Sequence, residues 1–397
     1  MKIGILFEGT PKKPGGFYQS LQSILLFKEI ESKDFNFEYI VLEKDTHNFL
    51  GKNFKTKIFR NNLGVKLFNF LTNSNFFNNL IFKYNIKHPF TSFIEKNGYE
   101  LIIFISPHDL SFYCGKTNFI FNIWDIDHKK NTPYPEHRIN HNYKKRENLI
   151  HFALFNAFKI IVPDKKINRE LKEIYKCDEK KLKIQNFIPY IPGLYEKDIN
   201  YDYEKSFERF NLKDKKFIFY PATFWPHKNH QYLIDVAKIF KKNKKKDFLF
   251  VLCGSDKGTL KKVKSDIKNF ELDVYFRIFE FVDDKELISL YLNSSIVLMP
   301  TDGGPTNLPM FESFYFKKPL FYSDHLIDKD DELNDFFVGI NIRNPDDFYE
   351  KLYNLDENKK IEMTKRAKEY YKKKCSYKEF KDNYLEVINQ FKAIKNW

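Results

Sequence analysis

Thr301 to Ser313 reads TDGGPTNLPMFES: two glycines and a proline stand ahead of Thr306 and Asn307, Pro309 follows them, and a single carboxylate, Glu312, comes one turn later. The apolar run SIVLMP before this stretch reads as a buried strand. MFESFYF after it reads as an amphipathic helix, entered through Thr306 or Asn307 as cap, with Pro309 in the first turn. Such a loop lets backbone approach a ligand, and the helix behind it aims N–H groups outward, an arrangement suited to an anion. A second stretch, YPATFWPHKNHQYLI, puts Lys228 at a helix start, flanked by His227, Asn229 and His230. An ammonium beside helix N-terminal N–H groups makes a diphosphate cradle; a lysine alone in a lysine-rich chain is a solvated surface group.

Two further stretches carry candidate chemistry. FEGTPKKPGGFYQS leaves a predicted strand and enters a helix through Gly15 and Gly16. Paired glycines at that turn can present N–H groups to an anion, or simply make a tight turn. The Gly-Lys-Ser/Thr ending of a Walker loop is absent, and so is the Gly-x-Gly-x-x-Gly dinucleotide turn. FNIWDIDHKKNTPYPEHR clusters Trp124, Asp125, Asp127 and His128 just after another strand. Two acids and a histidine could hold a metal; the alternative is a loop tied by Asx-type hydrogen bonds.

All four stretches follow strands, so the elements around them matter. Short apolar runs alternate with helical patterns along the chain, the mark of an α/β protein with parallel sheets covered by helices. The expected strands are KIGILF, FEYIVL, LIIFIS, FIFNIW and KIIVP, then KFIFYPA, FLFVLCG, VYFRIFE, SIVLMP and PLFYS. Between the two series, residues 186–206 carry prolines and tyrosines without a period and read as a linker. The chain has 397 residues, more than one ordinary core spans. The expected organisation is a first Rossmann-like domain over 1–200, a second over 201–375, and a helical segment over 376–397 packing back across both. Ligands of such sheets sit beyond the strand C-termini.

Composition narrows the function classes. Hydrophobic residues make up 42% and aromatics 18%, which excludes a disordered chain. The formal charge of +14 favours an anionic partner: nucleic acid, membrane surface or phosphorylated small molecule. The cluster KKNKKKD around Lys241–Lys246 complements a helix C-terminus and lacks the interleaved aromatics of a nucleic-acid platform. Cys114, Cys177, Cys253 and Cys375 have no paired spacing for zinc or redox work, which fits a reducing cytosol. No stretch has the length of a membrane span, and the first apolar run is too short for a signal peptide. A cytoplasmic protein is expected, docked peripherally where anionic lipid attracts its lysines.

FWPHKNHQYLI, GPTNLPMFES and IWDIDHKKNTPYPE together resemble the motifs of family 4 retaining glycosyltransferases of the GT-B fold, in that family's order, and suggest its bacterial surface-polysaccharide subgroup. The resemblance implies two doubly wound Rossmann-like domains with a cleft between them. It implies a donor site in which Lys228 neutralises the diphosphate and Gly15 and Gly16 lie near it. Gly304, Pro305, Thr306, Asn307 and Leu308 would form the loop that meets sugar and phosphates, with Thr223 and Asn229 beside Lys228. Glu312 would hold the ribose, and Phe281 and Val282 would border the base. Asp125 and His128 would be the acid and base on the first-domain side, with Phe17, Tyr18 and Trp124 toward the acceptor.

The implied reaction is retaining transfer of a hexose-type sugar, mannose- or rhamnose-like, from a nucleotide diphosphate donor. The acceptor would be a growing capsule, O-antigen or lipooligosaccharide, free or lipid-linked. No metal and no other cofactor would be required, and no nucleic acid bound. The sequence departs from the family where its first paired glutamate becomes Gly304, an arginine becomes Thr223 and a sugar-contacting histidine becomes Trp124. Asp-Ile-Asp read alone would suit a single-domain metal-dependent transferase, but leaves the rest of the chain without a role. The rival readings are a nucleotide-sugar epimerase of the same fold and a non-catalytic basic scaffold for anionic polymer or membrane.

Overall fold

The computed structural model describes residues 1–9, 16–60, 64–65, 67–68, 86–130, 133–304 and 307–395. The chain forms two compact units. The first comprises Met1–Ile126, His141–Ile188 and Tyr377–Trp397; the second comprises Asp127–Asn140 and Pro189–Ser376.

The first unit holds strands β1 (Lys2–Phe7), β2 (Asn36–Val41), β3 (Thr56–Ile58), β4 (Leu101–Phe104), β5 (Asn118–Asn122), β6 (Lys159–Val162) and β7 (Leu182–Ile184). They pair in parallel in the order β3-β2-β1-β4-β5-β6-β7. The central strands are buried along their length because helices cover both sheet faces, which is why they read as unbroken apolar runs. Helix Tyr377–Lys395 closes this unit. Its Tyr384 ring meets Phe27 at 4.6 Å, Tyr384 donates to Asn122 Oδ1 at 3.3 Å, and Asn383 donates to Gln185 Oε1 at 2.9 Å.

The second unit repeats the plan with β8 (Phe217–Pro221), β9 (Leu249–Cys253), β10 (Phe276–Phe279), β11 (Ile296–Met299), β12 (Leu320–Ser323) and β13 (Val338–Ile340), all parallel in the order β10-β9-β8-β11-β12-β13. Both sheets are doubly wound, so each has one point where successive connections leave in opposite directions: between β1 and β4 in the first, between β8 and β11 in the second.

Two local expectations are corrected. Tyr190–Lys197, inside the stretch read as a linker, is a helix; Pro192 lies in its first turn, where a missing N–H costs little. Helix Leu308–Tyr315 is buried from Met310 to Tyr315 rather than amphipathic, because helices Tyr190–Lys197 and Glu357–Lys374 also pack against it.

Candidate functional site

The switch point of the second unit gathers most of the described residues singled out as donor-binding. After β8 the chain turns through Thr223 and a 3-10 turn, Pro226–Lys228, into helix His230–Lys242. Asn229 joins turn to helix in the left-handed conformation (φ 52°), which asparagine tolerates better than most side chains. The Tyr220 hydroxyl, on β8, donates to the Lys228 carbonyl at 2.7 Å and fixes the turn from below.

The loop after β11 is tied to this turn. The Asp302 N–H donates to the His227 carbonyl at 2.7 Å, and the Thr301 hydroxyl reaches the same carbonyl at 3.2 Å and Gly303 O at 2.9 Å. Lys228 Nζ donates to Asn307 Oδ1 at 2.6 Å. Asn307 Nδ2 donates to the Tyr322 hydroxyl at 2.8 Å and to the Gly304 carbonyl, which Tyr322 also meets at 3.0 Å. Gly304 has φ 79°, and a Cβ there would lie 3.3 Å from the Asn307 amide, so the position suits glycine on two counts.

Asn307 precedes helix Leu308–Tyr315 but makes no side-chain cap. A capping amide would accept from the first-turn N–H groups. Here it is committed to Lys228, Gly304 and Tyr322 instead, so the positive helix end and the ammonium adjoin without a side-chain cap over them. Together they can hold a doubly charged anion. Leu308 opens the helix, whereas Pro305 and Thr306 lie outside the described residues.

Glu312 sits farther along this helix, 5% exposed, with Oε2 accepting from the Tyr291 hydroxyl at 2.6 Å. Burial pushes its carboxyl up to about 7, against the pull of the Tyr291 hydrogen bond. Phe281 follows β10 with its side chain in solvent, 76% exposed, while Arg209 donates to its carbonyl at 3.2 Å; Val282 beside it is half-buried.

Several participants escaped the sequence reading. Asp127–Asn140 belongs to the second unit, where Tyr134 donates to Asp302 Oδ2 at 2.5 Å and Glu136 Oε1 lies 2.6 Å from His227 Nδ1. The other Asp302 oxygen lies 3.2 Å from His325 Nε2, and His325 with Tyr134 holds this carboxyl below its usual range. His227 is pushed down to about 4, by burial first and the Lys228 charge second, despite Glu136. His230, stacked on Phe224 at 4.2 Å, falls to about 3 through burial and is a neutral core side chain.

The residues expected toward the acceptor are placed separately. Asp125, in the first unit, forms an ion pair with Arg146, which also donates to its carbonyl at 3.1 Å. His128, in the second unit, is fully buried. Trp124 Nε1 donates to Ile105 O at 3.2 Å, with its ring edge-on to Phe187. Phe17 is a core side chain against Phe7, Tyr18 and Phe49, because the turn of helix Gly16–Ile30 points it inward, whereas Tyr18 stays half-buried. Gly16 opens that helix; Gly15 lies outside the described residues. Among the described residues no three of His, Cys, Asp and Glu stand together as ligands for a metal ion, and no helix is long and apolar enough to cross a membrane.

Residues 202–374 match the family model described as glycosyl transferases group 1. The whole chain is similar in fold to solved structures at low identity. Anabaena HepE in complex with UDP and glucose is 15% identical, with 98% of this chain and 100% of that chain covered and a TM-score of 0.70. Sucrose-phosphate synthase from Thermosynechococcus elongatus is 13% identical, with 99% of each chain covered and a TM-score of 0.70. WaaG, a glycosyltransferase involved in lipopolysaccharide biosynthesis, is 10% identical, with 93% of this chain and 95% of that chain covered and a TM-score of 0.63. No curated protein matches by sequence. The fold is GT-B.

Proposed function

We propose that the chain is a retaining glycosyltransferase whose second unit holds a nucleotide diphosphate sugar. The observation that carries this reading is the Lys228 ammonium, fixed on Asn307 beside the N-terminus of helix Leu308–Tyr315. The group 1 match over residues 202–374 covers the same loops.

Breaking a glycosidic bond to a diphosphate throws negative charge onto the leaving oxygens. Lys228 and the helix dipole stand ready to meet that charge, and because Tyr220, Tyr322 and Asn307 already hold them, little reorganisation accompanies the reaction. This supply of positive charge supports transfer without a divalent metal. Phe281 offers an exposed ring for the base. Glu312, anchored through one oxygen by Tyr291, is assigned to the ribose hydroxyls. Attack of the acceptor hydroxyl on the same face that the diphosphate leaves, through an oxocarbenium-like state, gives retention.

A UDP donor is favoured by HepE, solved with UDP and glucose, and a bacterial surface-glycan acceptor by WaaG, named for lipopolysaccharide biosynthesis. A hexose-type sugar, mannose- or rhamnose-like, remains part of the proposal, as does cytoplasmic placement with peripheral contact to anionic inner membrane. The test is a thermal-shift screen of UDP, GDP, dTDP and CMP sugars, followed by incubation of the stabilising donor with a lipid-linked glycan. Transfer with retained configuration is expected. Isomerisation of the donor would instead mark an epimerase, and no nucleotide binding at all would leave only a basic scaffold.

A further inference from the structure

The switch point of the first unit has its own chemistry. Leu6 on β1 pairs with Phe104 on β4, so Glu8 and Ser106, each two residues further on, emerge level at the C-terminal edge of neighbouring strands. The chain is pinned just beyond Glu8. Gly9 takes φ 120°, a Cβ there would come 3.1 Å from the Phe17 ring, and the Thr46 hydroxyl donates to the Gly9 carbonyl at 2.6 Å. Glu8 is thereby presented half-exposed at the crevice where ligands of doubly wound sheets bind.

His108 faces it. The imidazole precedes the 3-10 turn Asp109–Tyr113, and its Nδ1 accepts from the Leu110 N–H at 3.0 Å. Burial keeps the ring neutral, so the ring proton sits on Nε2. Nε2 lies 3.9 Å from Glu8 Oε1, too far for a direct hydrogen bond. A hydroxyl oxygen about 2.8 Å from each would accept from Nε2–H and donate to the carboxylate. Ser106, 7% exposed, adds a hydroxyl with no hydrogen-bond partner among the described residues. A donor, a carboxylate acceptor and an idle hydroxyl fit a neutral polyol and repel a phosphate.

We propose that Glu8, with His108 and Ser106, binds a hydroxyl of the pyranoside that receives the sugar. Its meaning as an acceptor site rests on the transferase reading, but the binding itself does not. Glu8 and His108 hold and orient the hydroxyl.

The test is saturation-transfer NMR on the full chain with the methyl α-pyranosides of glucose, galactose, mannose, rhamnose and N-acetylglucosamine. At least one should receive saturation from the wild type, and Glu8→Gln should weaken that binding about tenfold, the loss of a charge-assisted hydrogen bond. UDP, GDP, dTDP and CMP shifts in melting temperature should be the same for wild type and variant. Silence from all five glycosides, which would leave water as the bridging molecule, overturns the proposal; so does full retention of binding in Glu8→Gln. Failure of every nucleotide to bind the wild type would sink the donor reading instead, and the glycoside result would still decide this one. A melting temperature for Glu8→Gln equal to wild type separates lost binding from lost folding, and His108→Gln, expected to weaken the same glycoside, gives a second variant.

Discussion

At β8 and β11 the second sheet parts around an ammonium, a helix N-terminus and a ring of hydroxyl and amide groups that hold them in place. At β1 and β4 the first sheet parts around a carboxylate, a neutral imidazole and a buried hydroxyl. The backbone plan is the same, and the side chains after the strands have opposite electrostatic sense. One edge can stabilise charge that grows on a departing group. The other can only orient an uncharged one by hydrogen bonds. On the proposed reading, one topology serves two kinds of ligand: the sheets fix where ligands go, and a few loop residues decide which kind each edge accepts.

The largest effect that could break this contrast is expected at Lys228. Replacing it with Ala removes a charge-assisted contact of about 1.5–3 kcal/mol, so kcat/KM for the donor should fall between about ten- and a hundredfold. The melting temperature should hardly move, since the turn is fixed through the Lys228 backbone carbonyl, which the substitution keeps. Unaltered donor kinetics would remove the cation from the second edge and the contrast with it.

Glu312→Gln should act in two directions. As a ribose ligand, the carboxylate accepts from two hydroxyls, so its loss should weaken UDP-glucose binding about tenfold. Those hydroxyls bind the ionised form, so wild-type affinity should rise with pH through about 7, where burial places this carboxyl, and be flat in the variant. UDP-glucose suits the measurement because its diphosphate is fully esterified at both ends and does not titrate near 7. Stability should move the other way. A carboxyl raised from 4.5 to about 7 makes the native state the tighter proton binder, so this group's contribution falls as pH rises through that window. At pH 8 the variant should therefore be more stable than wild type, by up to about 3 kcal/mol, and at pH 4 equal to it. A side chain with a packing role alone would give the stability change and leave affinity and its pH dependence untouched.

Much of the fold was legible because burial on both faces writes strands as continuous apolar runs; all ten expected strands are present. β3, β7 and β13 were not legible. Each has three residues, lies at a sheet edge or beside it, and is only partly buried, so no run marks it. Lys228, Gly304 and Asn307 could be picked out from local patterns, since each sits in a strand–loop–helix motif. Tyr134 and Glu136 could not. Their partners Asp302 and His227 lie 168 and 91 residues away, and a pairing over that distance leaves no periodic trace. The helix that carries Glu312 was read in place but as amphipathic, because the helices that bury its far side come from remote segments.

A smaller effect tests whether Asp127–Asn140 is truly seated on the second edge. Tyr134→Phe keeps the ring and deletes one hydrogen bond to Asp302, so unfolding free energy in urea should drop by about 0.5–1.5 kcal/mol. Because Asp302 also meets His325, the double change should cost little more than deleting the Asp302 carboxylate alone if Tyr134 and Asp302 act as a pair. Fully additive losses would mean that the contact is not made in solution.

The smallest expected effect is none, and it concerns metal. The cluster near the end of β5 offers Asp125 and Asp127, which read in isolation as ligands for a divalent ion, and such an ion would carry the positive charge that Lys228 and the helix dipole supply on the second edge. Asp125 already has a cation in the Arg146 guanidinium, fixed through its carboxylate and its carbonyl together. A divalent ion would have to displace that charged partner, one guanidinium nitrogen of which is shared between the carboxylate and the carbonyl. Transfer in EDTA should therefore match transfer in buffer, and added manganese should not raise it. Arg146→Ala should lower stability or acceptor use without creating a metal requirement. Loss of transfer in EDTA with rescue by manganese would move the charge-stabilising role from Lys228 to the acidic cluster, and Lys228→Ala would then retain activity in manganese. Comparing the two treatments on the two variants decides which edge carries the charge.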